Sequence, residues 1–239
     1  MNDIVVSVAI KKHLKVWQLT SRNLIEFIPS KRYIILVPSS ELSLFKKFTP
    51  NEIEIIPEES VLEYKWKEKI RKRLIELKID PCNVGWIYQQ FLKLQASNLS
   101  TGEKIVIWDA DTIPLKKWDF FKSDGSLNLF LNTDNHFPYF QAIQSFLGID
   151  KQIGPSFVSQ SIAFYKIILE EMISHIENKF NMNWMEAILL NITNDINSFS
   201  EYETLGSWIY HSRPKILNLN ESEAYKWERC GSHIIGKPY

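Results

Sequence analysis

The chain has 239 residues, 45% of them hydrophobic and 23% charged, with 28 Lys+Arg against 28 Asp+Glu and so no formal net charge. Such a composition belongs to a folded globular protein with ample core material, and the lack of a basic excess argues against a nucleic-acid-binding domain. No stretch approaches the ~20 apolar residues of a membrane span, and Met1-Asn2-Asp3-Ile4 lacks the features of a signal peptide, so the expected location is cytoplasmic.

The first half alternates strand and helix signals. Ile4 to Ile10 is an apolar, β-branched run that predicts a buried strand. Leu14 to Ile28 carries apolar residues at helical spacing and is stopped by Pro29. Tyr33 to Val37 predicts a second strand, a short helix capped by Ser39 or Ser40 follows, and Glu52 to Ile56 predicts a third strand. That rhythm predicts parallel βαβ units with right-handed crossovers, an α/β sheet suited to a nucleotide. Val61 to Ile79 and Gly85 to Asn98 predict two further helices. The first carries a basic run from Lys65 to Lys78, which reads as a solvated face or a patch facing anionic membrane.

The next strand ends in Trp108-Asp109-Ala110-Asp111. Alternation along a strand places Asp109 and Asp111 on one side. Two carboxylates there suit a hard cation, Mn²⁺ or Mg²⁺, which also holds a diphosphate. In open α/β sheets ligands bind beyond the carboxyl ends of strands, where this pair lies.

Beyond it, Leu127 to Leu131 predicts a strand, and Phe137 to Leu147, Ile162 to Phe180 and Trp184 to Ile192 predict helices. Ile216 to Leu219 predicts an edge strand. The two cysteines, Cys82 and Cys230, follow no metal or redox spacing. With no linker or repeat, the simplest organisation is one domain over 1–239, with a nucleotide-binding half over 1–133 and an acceptor-side half over 134–239.

Several residues have chemistry to offer such a site. Gln89, Gln90 and Lys93 lie within about one helical turn and can contact a nucleotide or its sugar. Gln160 can stabilise positive charge at a reacting sugar carbon, with Ser159 beside it as a helix cap. Glu201 and Glu203 lie among aromatics, where burial raises a carboxylate toward the range of a useful base. His136 is an acceptor-side candidate. Tyr139, Trp184, Tyr202 and Trp208 are candidates for stacking on sugar faces. In the tail, His233 can ligate a metal, Gly236 permits close approach of a phosphate, and Lys237 can neutralise a diphosphate.

The Asp-x-Asp strand end and the tail His233-Ile234-Ile235-Gly236-Lys237-Pro238-Tyr239 resemble the GT-A-type glycosyltransferases. The tail is similar to the His-x-x-Gly…Lys-Pro-Trp ending of the family holding glycogenin and bacterial lipopolysaccharide galactosyltransferases, with a shorter Gly-to-Lys spacing and Tyr239 in place of tryptophan. That likeness implies Asp109, Asp111 and His233 as ligands of Mn²⁺ and Lys237 as a contact to the donor diphosphate. Gly85 to Leu94, the Asp-Ala-Asp strand, Val158-Ser159-Gln160 and Phe199 to Thr204 also resemble bacterial glycosyltransferase-like proteins of surface polysaccharide assembly. The resemblances imply an α/β, GT-A-like fold. They also imply transfer of a hexose from a nucleotide sugar, UDP-linked, to a saccharide or lipid-linked saccharide at the inner membrane face, with retention or inversion left open. The alternative is a catalytically silent sugar-nucleotide or glycan-binding subunit of an assembly complex.

Overall fold

The computed structural model describes residues 1–132, 136–193, 195 and 198–221. Its centre is a five-stranded sheet of order β3-β2-β1-β4-β6. The strands are β1 (Asn2–Val8), β2 (Ser30–Val37), β3 (Ile53–Pro57), β4 (Lys104–Trp108) and, once β5 (Leu127–Leu131) has branched off, β6 (Ser161–Tyr165). The first four run parallel, and β6 runs antiparallel to β4. The α/β class expected from the sequence is the class observed.

The central strands are made of Val, Ile and Leu because helices cover both faces of a parallel sheet, so their side chains have no polar face to serve. Ile4, Val5, Val6, Ile105, Val106 and Ile107 are all essentially sealed from solvent, each contributing about 1.5–3 kcal/mol on burial. Ser7 interrupts the apolar run of β1 from Ile4 to Val8, and its hydroxyl donates to the Trp108 carbonyl at 2.8 Å, tying β1 to the end of β4.

The helices are α1 (Leu14–Phe27), α2 (Leu42–Lys46), α3 (Lys65–Glu76), α4 (Val84–Gln95), α5 (Phe137–Leu147), α6 (Lys166–Phe180), α7 (Trp184–Asn191) and α8 (Glu201–Ser212). The basic residues of α3 are largely engaged: Lys67 meets Glu58 at 2.6 Å, Lys69 meets Glu186, and Arg73 donates to the Leu189 and Leu190 carbonyls. The last strand, β7 (Leu217–Glu221), pairs in parallel with β5 as a separate two-stranded sheet.

One element read from the sequence is corrected. Ile162 to Tyr165 is strand, not the first turn of a helix. Its apolar run abuts the apolar face of α6, so periodicity alone could not separate them. The segment from Glu201 to Ser212 is a regular helix, with the Ser200 hydroxyl accepting from Glu203 N at 3.3 Å as its N-cap. Inside that helix Gly206 lies against the Phe157 ring, and a Cβ there would fall within the ring's van der Waals envelope. Gly206→Ala is therefore expected to cost about 1–3 kcal/mol through overpacking, read as a lowered midpoint in urea unfolding. No helix among the described residues is long and apolar enough to cross a membrane.

Candidate active site

The strand order reverses beside β1: the chain builds outward through β2 and β3, then returns to place β4 on the other flank. A crevice at that switch point, outside the strand carboxyl ends, is where open α/β sheets bind ligands. A cleft of about 250 Å³ lies there. Its lining comes from the end of β1 and the following turn (Val8, Lys12, His13), from α4 (Trp86, Gln89, Gln90, Lys93) and from the turn after β4 (Asp109, Ala110, Asp111). Tyr139, Val158, Gln160 and the start of α8 (Ser200, Glu201, Tyr202) complete it. A larger, more open depression of about 540 Å³ between α1 and Lys47–Glu52 has a charged lining of its own (Arg22, Glu26, Lys47, Glu52) but includes neither Asp109 nor Asp111.

Asp109 follows the last residue of β4, and Ala110 and Asp111 form a turn rather than an extension of the strand. Two bonds hold the turn: Thr112 N donates to the Asp109 carbonyl at 3.0 Å, and Trp108 Nε1 donates to the Thr112 carbonyl at 2.6 Å. Because β6 is antiparallel to β4, its first residues come back to the same end of the sheet. Asp109 N thus donates to the Gln160 carbonyl at 2.9 Å. Gln160 has φ +63°, a left-handed conformation that costs a non-glycine residue of order 1 kcal/mol and concentrates at functional sites.

The two aspartates are unlike. Asp109 has a side chain 14% exposed, and its Oδ1 accepts from Lys93 Nζ at 2.5 Å and from the Tyr202 hydroxyl at 2.6 Å. Its Oδ2 takes no hydrogen bond among the described residues. Asp111 is exposed and its carboxylate is likewise unengaged among them.

Lys93 is 4% exposed and lies at the centre of the cluster. Its ammonium has three N–H donors, and three acceptors surround it: Asp109 Oδ1, Glu201 Oε1 at 2.6 Å and the Tyr202 oxygen at 3.2 Å. Burial works against the Lys93 charge, but Asp109 and Glu201 outweigh it and hold the ammonium above the ordinary lysine range. Burial pushes the Glu201 carboxyl up, with Lys93 opposing. Burial, then the Asp109 and Glu201 charges, keep the Tyr202 phenol protonated, as a donor to Asp109 requires. Lys93, expected from the sequence to contact a ligand, lines the cleft with its three donors engaged by Asp109, Glu201 and Tyr202.

Gln90, one turn before Lys93 on α4, accepts from Glu201 N at 3.0 Å through Oε1. His13 was not singled out from the sequence. Burial lowers its pKa, and the charges of Asp111 and Asp109 oppose that. Ile10 N donates to His13 Nδ1 at 3.3 Å, which makes Nδ1 the unprotonated nitrogen and leaves the proton on Nε2.

Glu203 does not join the cluster. Its Oε2 accepts from the Ser156 hydroxyl at 2.5 Å and from Phe157 N at 2.9 Å, behind the cleft. Burial raises its pKa, with Ser156 and Phe157 opposing. A carboxyl raised on folding makes the protein most stable below its unfolded pKa of about 4.3, and that stability declines as pH rises through the folded value. Glu203→Gln keeps an acceptor for both donors without the charge. Its stability is expected to match or exceed wild type at pH 7 and to decline less between pH 4 and 7, measured by urea unfolding. Glu203→Ala, which strands both donors, should cost about 1–3 kcal/mol.

Of the other candidates, Tyr139 lines the cleft, while Trp184 packs edge-on against Phe91 in the core. Trp208 stays in the core with its Nε1 on the Ile168 carbonyl. Ser159 caps no helix and donates to the Ser161 carbonyl. His136 sits 4.7 Å from the Tyr139 ring and 3.4 Å from Asp195. His233, Gly236 and Lys237, with the rest of the tail, lie outside the described residues.

No group of three His, Cys, Asp or Glu among the described residues is placed to hold a metal. The residues present fit a less protein-bound cation. Mg²⁺ is usually held by one or two carboxylates together with waters and substrate phosphates, and Asp109 Oδ2 and Asp111 supply two hard oxygen donors. Three carboxylates (Asp109, Asp111, Glu201) face two ammonium groups (Lys12, Lys93) around the cleft, a balance that favours a cation.

A protein-family model described as "Family of unknown function (DUF6492)" matches residues 9–224. No curated protein matches. Among solved structures, a chain titled PaToxG Glycosyltransferase is similar at 13% identity and a TM-score of 0.44, over 90% of this chain and 70% of that one.

Proposed function

Since the chain belongs to that family of unknown function, we propose from the site itself that it transfers a glycosyl group from a nucleotide sugar, UDP-linked, to a saccharide hydroxyl with the help of Mn²⁺ or Mg²⁺. One observation carries the reading. At the sheet's switch point, two neighbouring aspartates offer unengaged carboxylate oxygens to one cleft, beside a residue held in left-handed backbone. This is the donor set a diphosphate–metal pair needs.

Asp109 Oδ2 and Asp111 would hold the cation, which when bound supplies positive charge to the departing diphosphate. Lys93 and the Tyr202 hydroxyl fix Asp109 through its other oxygen, so the ligand oxygen needs no reorganisation on binding. The Gln160 carbonyl fixes the Asp109 backbone and thereby brings the Gln160 side chain to the cleft wall. Glu201, facing the same space, is the carboxylate available to a sugar or acceptor hydroxyl. The surface-polysaccharide setting and a lipid-linked acceptor rest on the sequence resemblance alone.

The test is a thermal-shift screen of UDP-, GDP- and CMP-linked sugars with and without Mn²⁺, followed by product analysis. Metal-dependent stabilisation by one nucleotide sugar, with transfer to a saccharide, is the expected result. Stabilisation without any product assigns a binding role instead, and no response to any nucleotide sugar removes the reading.

A further inference from the structure

Gln90 is 3% exposed, yet its Nε2 has no hydrogen-bond partner among the described residues. The orientation of the amide is dictated. Glu201 N can only donate, so the Gln90 atom 3.0 Å from it is the oxygen, and the NH₂ group takes the other side. Buried polar groups are nearly always paired, and each orphan in a folded protein calls for a reason. Gln90 lines the cleft while its Nε2 is sealed from solvent, so a ligand group in the cleft pairs with it after a small movement of the side chain.

Glu201 supplies the complement. Its Oε1 accepts from Lys93, while its Oε2 takes no hydrogen bond from another residue among those described. The bond between Glu201 N and Gln90 Oε1 sets the amide against the residue that carries this free acceptor. One wall of the cleft thus pairs a donor without an acceptor and an acceptor without a donor. A phosphate or a carbonyl, which only accepts, answers the first but not the second. An ammonium answers the second but not the first. A hydroxyl answers both, since it accepts through its lone pairs and donates through its proton.

We propose that Gln90 Nε2 and Glu201 Oε2 together grip one hydroxyl of a polyhydroxylated ligand and make these two residues the sugar-reading wall of the cleft. The proposal rests on the nucleotide-sugar reading for the class of ligand. A site that hydrogen-bonds a substrate hydroxyl from both sides strongly rejects analogues that lack it, because its own buried groups are then stranded.

The experiment is calorimetric titration of UDP, UDP-glucose and UDP-galactose, with Mg²⁺ present, into wild type, Gln90→Met and Gln90→Glu. Met removes the donor together with the acceptor that serves Glu201 N. Glu keeps an oxygen facing Glu201 N and replaces the NH₂, so it serves if Met fails to fold. The expected result is a tenfold or larger loss of affinity for a sugar nucleotide in the variant, with UDP affinity unchanged. Equal weakening of UDP and sugar nucleotide, or no weakening of either, overturns the grip while leaving the nucleotide-sugar reading standing. A wild type that binds none of the three overturns the UDP-sugar reading and the proposal with it.

Discussion

Asp111→Ala is expected to abolish metal-dependent glycosyl transfer and leave stability untouched, whereas Asp109→Ala is expected to lose both. Asp111 is exposed and makes no hydrogen bond among the described residues, and substitutions of that kind change stability by about 0.5 kcal/mol or less. Asp109 instead completes the buried charge cluster with Lys93 and Tyr202. Breaking a buried ion pair costs about 3–5 kcal/mol; the loss here should fall at the low end, because Glu201 still neutralises Lys93. In turnover, loss of either cation ligand should exceed the ~100-fold that follows loss of an outer-shell partner. Urea unfolding and turnover measured on both variants separate the two aspartates. Full activity in either one sinks the metal role.

Lys93→Met should be the most destabilising single change at the site. It leaves Asp109 and Glu201 facing each other without a counter-charge, at a cost of about 3–5 kcal/mol. At about 2–4 °C per kcal/mol for a chain of this size, the melting temperature falls by roughly 10 °C. Adding Glu201→Gln to Lys93→Met should restore part of that loss, since only one buried carboxylate then lacks a counter-charge; non-additivity of this kind marks groups in one network. Lys93→Arg should not rescue, because a planar guanidinium does not reproduce three donors converging from one nitrogen. Calorimetric melting of the four proteins reads the result, and a Lys93→Met protein as stable as wild type would show that the cluster contributes nothing.

Much of the sheet was legible in the sequence because buried parallel strands are written as unbroken Val/Ile/Leu runs between Pro and Ser punctuation. The strand β6 was not: its Ile-Ala-Phe-Tyr flows into the apolar face of α6, and only pairing with β4, more than fifty residues earlier, makes it extended. The helix α8 carried a local signal that went unread, the Ser200-x-x-Glu203 pattern of a capped helix start. Its glutamate then turns to Ser156 and Phe157 instead of closing the capping box, a choice that no local pattern encodes. At the site, Asp109, Asp111, Gln90, Gln160 and Glu201 were named from the sequence and all line one cleft. The fate of Lys93 was hidden, since a lysine on a helix face looks the same whether it meets a ligand or a carboxylate 108 positions away. His13 was hidden for the opposite reason: a lone histidine in a lysine-flanked turn gives no hint that two aspartates a hundred residues on will face it.

That spacing also sets an order of assembly. Asp109 and Lys93 are 16 positions apart, but Asp109 and Tyr202 are 93 apart. At 5–20 residues per second, the ribosome delivers α8 roughly 5–20 s after the Asp-Ala-Asp turn has been made. For about the first half of that interval the far edge of β4 waits for β6, and until α8 is made the Lys93 ammonium has Asp109 as its sole carboxylate partner from the cluster. Docking of α8 is the event that buries the charge, closes the cleft and completes its wall in one step. Until Ser200, Glu201 and Tyr202 are made, the cleft lacks the wall they supply, so the first half of the chain cannot by itself form the complete site.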